Sequence, residues 1–160
     1  SIYVAFRINN NPRTAKEIAD IFHLDTSGAT KGCKNAVNIL NIIEENLDES
    51  EKTVFGNTSP QSFIVRYSSK LGINKELTKL AEFIAFRIQK ENLIPENTPH
   101  SIAAGIIYYI CCLCNLNVTK KEIHTISQIS EVTINKCFKK LEVYTDVLIP
   151  RTIKMKYNIK

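Results

Sequence analysis

The 160-residue chain lacks an apolar run long enough to cross a bilayer; its longest, Ile102 to Leu113, is interrupted by Gly105 and two tyrosines. No basic-then-apolar leader opens it, so a soluble protein without membrane partners is expected. The five cysteines, at 33, 111, 112, 114 and 137, form no CxxC pair and match no histidine spacing. That argues against a zinc site and a disulfide framework and for a reducing compartment. Cys111, Cys112 and Cys114 fall in an apolar helix, where buried thiols behave as small hydrophobes, and no cofactor is expected. His23, His100 and His124 have no paired carboxylate or nucleophile at a meaningful spacing, so each is read as a surface or capping histidine and the chain as no enzyme. No alternating strand pattern of useful length occurs, except in the tail after Pro150, and the class predicted is all-α.

What is present is 44% hydrophobic sequence without low complexity, enough to bury one good core or two small ones. Charge is unevenly placed. Residues 1–105 carry 12 basic and 12 acidic side chains and residues 106–160 carry 9 and 4, so the whole net charge of +5 belongs to the last third. That third holds TKKEIHTISQISEVTINKCFKKL, residues 119–141. Thr119 with Glu122 makes a capping box, Ile123 and Ile126 lie on one buried stripe, and Ile129, Ser130 and Glu131 interrupt it at the length of a helix-turn-helix corner. Ser130 then caps a second helix whose inward face is Ile134, Phe138 and Leu141. Val132, Thr133, Asn135, Lys136, Lys139 and Lys140 are left to face outward, small and amide side chains first and lysines after. Base edges in a major groove and the flanking phosphates need those types in that order. A solvated lysine face on a helical bundle has the same composition.

In chain order, Ser1 to Ile8 is an apolar helix with no cap signal before it, and Asn9 to Pro12 a turn. Thr14 with Glu17 forms another capping box ahead of an inward set of Ile18, Ile21 and Phe22. A helix over Ala29 to Leu47 presents Cys33, Val37, Leu40 and Ile43 on one face. An acidic linker, residues 48–59, separates it from helices over Pro60 to Leu71 and Lys75 to Asn92, the latter burying Leu77, Leu80, Ala81, Ile84 and Ile88. A loop from Ile94 to Pro99 precedes an apolar helix over Ser101 to Cys114. Placing each residue over the one 105 further on, without a gap, pairs Tyr3 with Tyr108, Asn10 with Asn115, Thr14 with Thr119, Glu17 with Glu122, Ile18 with Ile123, Lys31 with Lys136 and Lys34 with Lys139. Both capping boxes coincide. The predicted organisation is residues 1–47 as the last three helices of one repeat, residues 60–150 as a complete five-helix repeat ending in the helix-turn-helix, and residues 151–160 as a basic tail.

IYVAFRINNNPRTAKEIADI, followed by a unit ending IAAGIIYYICCLCNLNVTKKEIHTISQISEVTINKCFKKL, resembles the tandem cyclin-like core of the transcription factor IIB family, with two TxKEI boxes and EVTI as the specific motifs. The resemblance covers nearly all of the chain. It implies an initiation factor that binds the TATA-binding protein and promoter double-stranded DNA and helps recruit RNA polymerase, with the helix-turn-helix in the major groove upstream of the TATA box. Localisation would be nuclear, or the host cell's transcription site if the abundance of Ile, Asn and Lys reflects the AT-rich genome of a large virus.

Departures qualify that picture. The family's Val-Thr-Ile-Arg or Val-Arg is Val132, Thr133, Ile134, Asn135 here, so the arginine that reads a guanine is missing. The family's Gly-Arg-Ser-Pro is Glu96, Asn97, Thr98, Pro99, leaving Asn97 and Thr98 as DNA-facing candidates beside Lys120 and Lys121. Thr26 and Ser27 replace a lysine pair, and Lys31 and Lys34 remain as basic candidates for the TATA-binding protein. A cyclin-like module that binds only protein is the alternative. With two helices fewer in the first repeat, Ile2, Val4, Val37 and Leu40 are expected to lie uncovered and to favour self-association.

Overall fold

Capping chemistry decides where the chain begins to coil. In a computed structural model that describes residues 1–55 and 58–159, all the regular secondary structure is helical. Gly56 and Asn57 of the expected linker and Lys160 of the tail lie outside the described residues. The chain divides into two compact units, Ser1–Thr58 and Ser59–Lys160.

The first unit holds α1 (Ile2–Ile8), α2 (Ala15–Ile21) and α3 (Thr26–Ile43). Ser1 caps α1 after all, its hydroxyl accepting the Val4 amide. The Thr14 hydroxyl accepts the Glu17 amide at 3.1 Å while the Thr14 amide donates to the Glu17 carboxylate at 2.8 Å, completing the box that starts α2. α3 starts three residues earlier than the periodicity suggests, because the Asp25 carboxylate accepts the Gly28 amide at 2.7 Å and caps it. It also stops short of Leu47, where Glu44 turns to take the Thr53 amide at 2.7 Å. Of the inward set expected on α2, Ile18 is buried, but Ile21 and Phe22 are exposed. On α3 Cys33, Val37 and Leu40 are half-buried and Ile43 is exposed, and Val4, expected to be uncovered, is buried.

The second unit comprises α4 (Gln61–Lys70), α5 (Lys75–Glu91), α6 (Pro99–Leu113), α7 (Lys120–Ser127), α8 (Glu131–Glu142), α9 (Thr145–Leu148) and α10 (Arg151–Lys156). α6 is apolar on every side and sits at the centre, packed by α4, α5, α7 and α8. Leu77, Leu80, Ala81, Ile84 and Ile88 of α5 are buried against this core. The tail after Pro150 is a helix and not a strand: Pro150 opens α10, Ile153, Tyr157 and Ile159 lean on the core, and Glu76 holds Lys156 at 2.7 Å and the Tyr157 hydroxyl at 3.0 Å.

Backbone features recur at the interval of 105 residues. Asn10 and Asn115 both adopt left-handed conformations (φ 51° and 52°), as do His23 and Gln128 (φ 52° and 59°), and the N-caps Asp25 and Ser130 stand at the same interval. Burial does not recur. Leu24 is 55% exposed where Ile129 is 8%. In the second unit α4 covers this region by packing on α6 and α7; among the described residues the first unit has no helix in that place, and an apolar concavity lined by Ile2, Ile18, Phe22, Leu24 and Cys33 lies open there.

Candidate nucleic-acid interface

The α7–α8 corner is stapled from both sides. The Thr119–Glu122 capping box starts α7, and the Glu122 carboxyl is held below its ordinary range by the amide and hydroxyl of Thr119. At the corner the Gln128 amide donates to the His124 carbonyl at 2.7 Å. The buried Ser127 hydroxyl donates to the Ile123 carbonyl at 2.6 Å and accepts the Ile129 amide at 3.2 Å. His124 Nδ1 lies 2.8 Å from the Ile129 carbonyl, and since a carbonyl only accepts, Nδ1 carries the hydrogen. Ser130 then accepts the Thr133 amide and starts α8.

α8 is seated by Ile134, Cys137 and Leu141, all fully buried, and by the half-buried Phe138, whose ring meets Tyr108 edge-on at 5.1 Å. Seating is close because residue 105 is glycine: a Cβ there would stand 2.3 Å from Cys137 Sγ. Burial pushes the Cys137 thiol up to about 11 and the Cys111 thiol to about 12. Cys114 is buried as well, but Cys112, one residue from Cys111 and so a hundred degrees round the helix, is exposed, contrary to the expectation that all three pack inside. His23 occupies the exposed left-handed turn and His100 lies against the Phe63 ring at 5.9 Å. No group of three His, Cys, Asp or Glu side chains placed to hold a metal occurs among the described residues.

The outer face of α8 is where the spacing puts it, with two differences in use. Val132 is 64% exposed, Lys136 and Lys139 are exposed, and Asn135 is half-buried. Thr133 is only half-exposed, its hydroxyl 2.9 Å from that of Ser130 and so committed to the cap. Lys140 is drawn aside. It forms an ion pair with Glu96 and donates to Asn97 Oδ1 at 3.1 Å, joining the end of α8 to the loop before α6. Glu96 thereby drops below its usual carboxylate range, chiefly through the Lys140 hydrogen bond. No signal in the sequence announces this pairing across 44 residues. Thr98 is the N-cap residue of α6, its hydroxyl 2.8 Å from that of Ser101. Lys120 reaches over the Tyr108 ring at 5.7 Å, and Lys121 is exposed beside it. In the first unit Lys31 and Lys34 border a concavity with Thr26, Ser27 and Thr30.

Comparison with known proteins gives this arrangement a family. The transcription factor TFIIB repeat matches residues 55–143, more than half of the chain. A transcription initiation factor IIB-like protein of Acanthamoeba polyphaga mimivirus is 35% identical over 148 residues, 92% of this chain and 32% of that protein. Transcription initiation factor IIB of Oryza sativa is 30% identical over 159 residues, 99% of this chain and 49% of the relative, and that of Pyrococcus furiosus 25% over 149 residues, 93% and 47%. The chain thus spans about a third to a half of the length of these relatives. With cyclin-like helices, the capped α7–α8 corner and the matched repeat together, the chain belongs to the transcription factor IIB family.

Proposed function

We propose that this chain is the promoter-binding part of a transcription initiation factor, acting without catalysis of its own in the nucleus or at a viral transcription site. In this reading α7–α8 enters the major groove beside a TATA box, with Val132 and Asn135 toward base edges and Lys136 and Lys139 toward phosphates. Asn97, Thr98, Lys120 and Lys121 flank that contact. Lys31 and Lys34 of the first unit face the TATA-binding protein, and the assembled complex helps recruit RNA polymerase. The observation that carries the reading is a rigidly capped helix-turn-helix whose exposed side bears an aliphatic residue, an amide and two lysines that make no ion pair among the described residues.

Binding of the chain to TATA-containing duplex in the presence of the TATA-binding protein, followed as a function of salt, tests it. Lys136→Ala and Lys139→Ala are each expected to weaken binding to all upstream sequences alike and to lower the salt slope by about one. Unchanged slopes in both variants would leave the lysines as a solvated surface, and the chain as a cyclin-like module that binds protein alone.

A further inference from the structure

Lys140 stands on the basic side of α8, but its ammonium is already taken: the Glu96 carboxylate pairs with it and Asn97 Oδ1 accepts from it at 3.1 Å. Both partners come from the loop between α5 and α6, so the contact bridges the two sequence segments that flank the proposed DNA-reading face. Side-chain exposures of 39% for Lys140 and 58% for Glu96 put the pair at the surface, where an ion pair adds little to stability. Its consequence lies in binding. A phosphate reaching Lys140 must displace a carboxylate of equal charge, and the displaced carboxylate remains beside the phosphate and repels it.

Resting on the proposed function, we infer that Glu96 is an affinity-setting residue: it holds Lys140 out of the phosphate-contacting set and lowers the chain's own affinity for duplex DNA. Lys136 and Lys139 on α8, with Lys120 and Lys121 beside them, remain as the phosphate-facing lysines. Glu96 is a positioning residue in this scheme and touches no base.

The test uses the full chain and a short AT-rich duplex with no other protein present, measuring affinity at several salt concentrations for the wild type, Glu96→Gln, Lys140→Gln and the double variant. Glutamine keeps the size of each side chain at a surface position, and matched thermal unfolding confirms that all four chains are folded. Glu96→Gln is expected to bind several-fold tighter and to steepen the salt slope by about 0.9, the worth of one more phosphate contact. Lys140→Gln alone should bind no tighter than the wild type, since it leaves the Glu96 carboxylate unpaired beside the duplex, and the double variant should lose the gain, because the effect passes through Lys140. Wild-type binding that Glu96→Gln leaves unchanged overturns the inference while the proposed function stands. A gain that persists in the double variant overturns it too, since Glu96 would then act on phosphates without Lys140. If the wild type and Glu96→Gln are both inert toward duplex at every salt concentration, the inference is overturned, whereas the proposed function falls only if duplex carrying the TATA-binding protein is not bound either; if only the wild type is inert, the inference is upheld.

Discussion

Asn135 faces outward from the second turn of α8, half-buried, where the family resemblance places an arginine. Arginine presents two donors to guanine O6 and N7, whereas asparagine presents one donor and one acceptor, the complement of adenine N6 and N7. Val132, exposed one turn earlier, offers an apolar surface to a thymine methyl. Selection of bound sites from a randomised stretch upstream of a TATA box, with the TATA-binding protein present, should therefore recover an A·T-leaning element, with discrimination of about 1–3 kcal/mol at most at the contacted base pair. Asn135→Arg should move that preference toward guanine; recovery of a G·C-rich element by the unaltered chain would contradict the assignment. The outward direction of Asn135, Lys136 and Lys139 was legible from helical spacing alone. The commitments of Thr133 and Lys140 were not, because a hydroxyl at the third position of a helix is also a capping partner, and because Glu96 meets Lys140 from 44 residues away.

At the scale of the element, α8 owes its place to α6. Gly105 lets the two helices approach until a Cβ would overlap Cys137, and an alanine there must push α8 outward or force Cys137 from its rotamer. Gly105→Ala is expected to destabilise the second unit by about 1–3 kcal/mol despite the better helix propensity of alanine, and to weaken duplex binding as the α8 face shifts. Thermal unfolding by circular dichroism checks this, and an unchanged or raised midpoint would show that the close approach is not required. Capping boxes made the starts of α2 and α7 readable, since Thr and Glu three apart leave a local mark. The start of α3 was hidden because Thr26, Ser27 and Gly28 have the composition of a turn, and only the Asp25 cap turns them into a first helical turn. α10 was hidden for another reason: it gains its place from Glu76 and from a core surface that only the folded second unit presents.

For the whole molecule, the sequence interval of 105 residues corresponds to a recurrence of backbone turns and caps, and the net positive charge of the chain lies in the last third, which carries α7–α8. The recurrence was legible where both positions carry the same residue, at Asn10 and Asn115 and at the Thr–Glu capping boxes, and hidden where His23 faces Gln128 and Asp25 faces Ser130; burial was not legible, because it depends on which helices are present to cover a face. The first unit accordingly shows apolar side chains at positions whose counterparts in the second are enclosed. The central claim, that the α7–α8 face sits on promoter DNA beside the TATA-binding protein, is tested most directly by hydroxyl-radical footprinting of a TATA promoter duplex carrying that protein, with and without this chain. The prediction is new backbone protection immediately upstream of the TATA box, lost when Lys136 and Lys139 are both changed to alanine. Association of the chain with the complex without any upstream protection would contradict it.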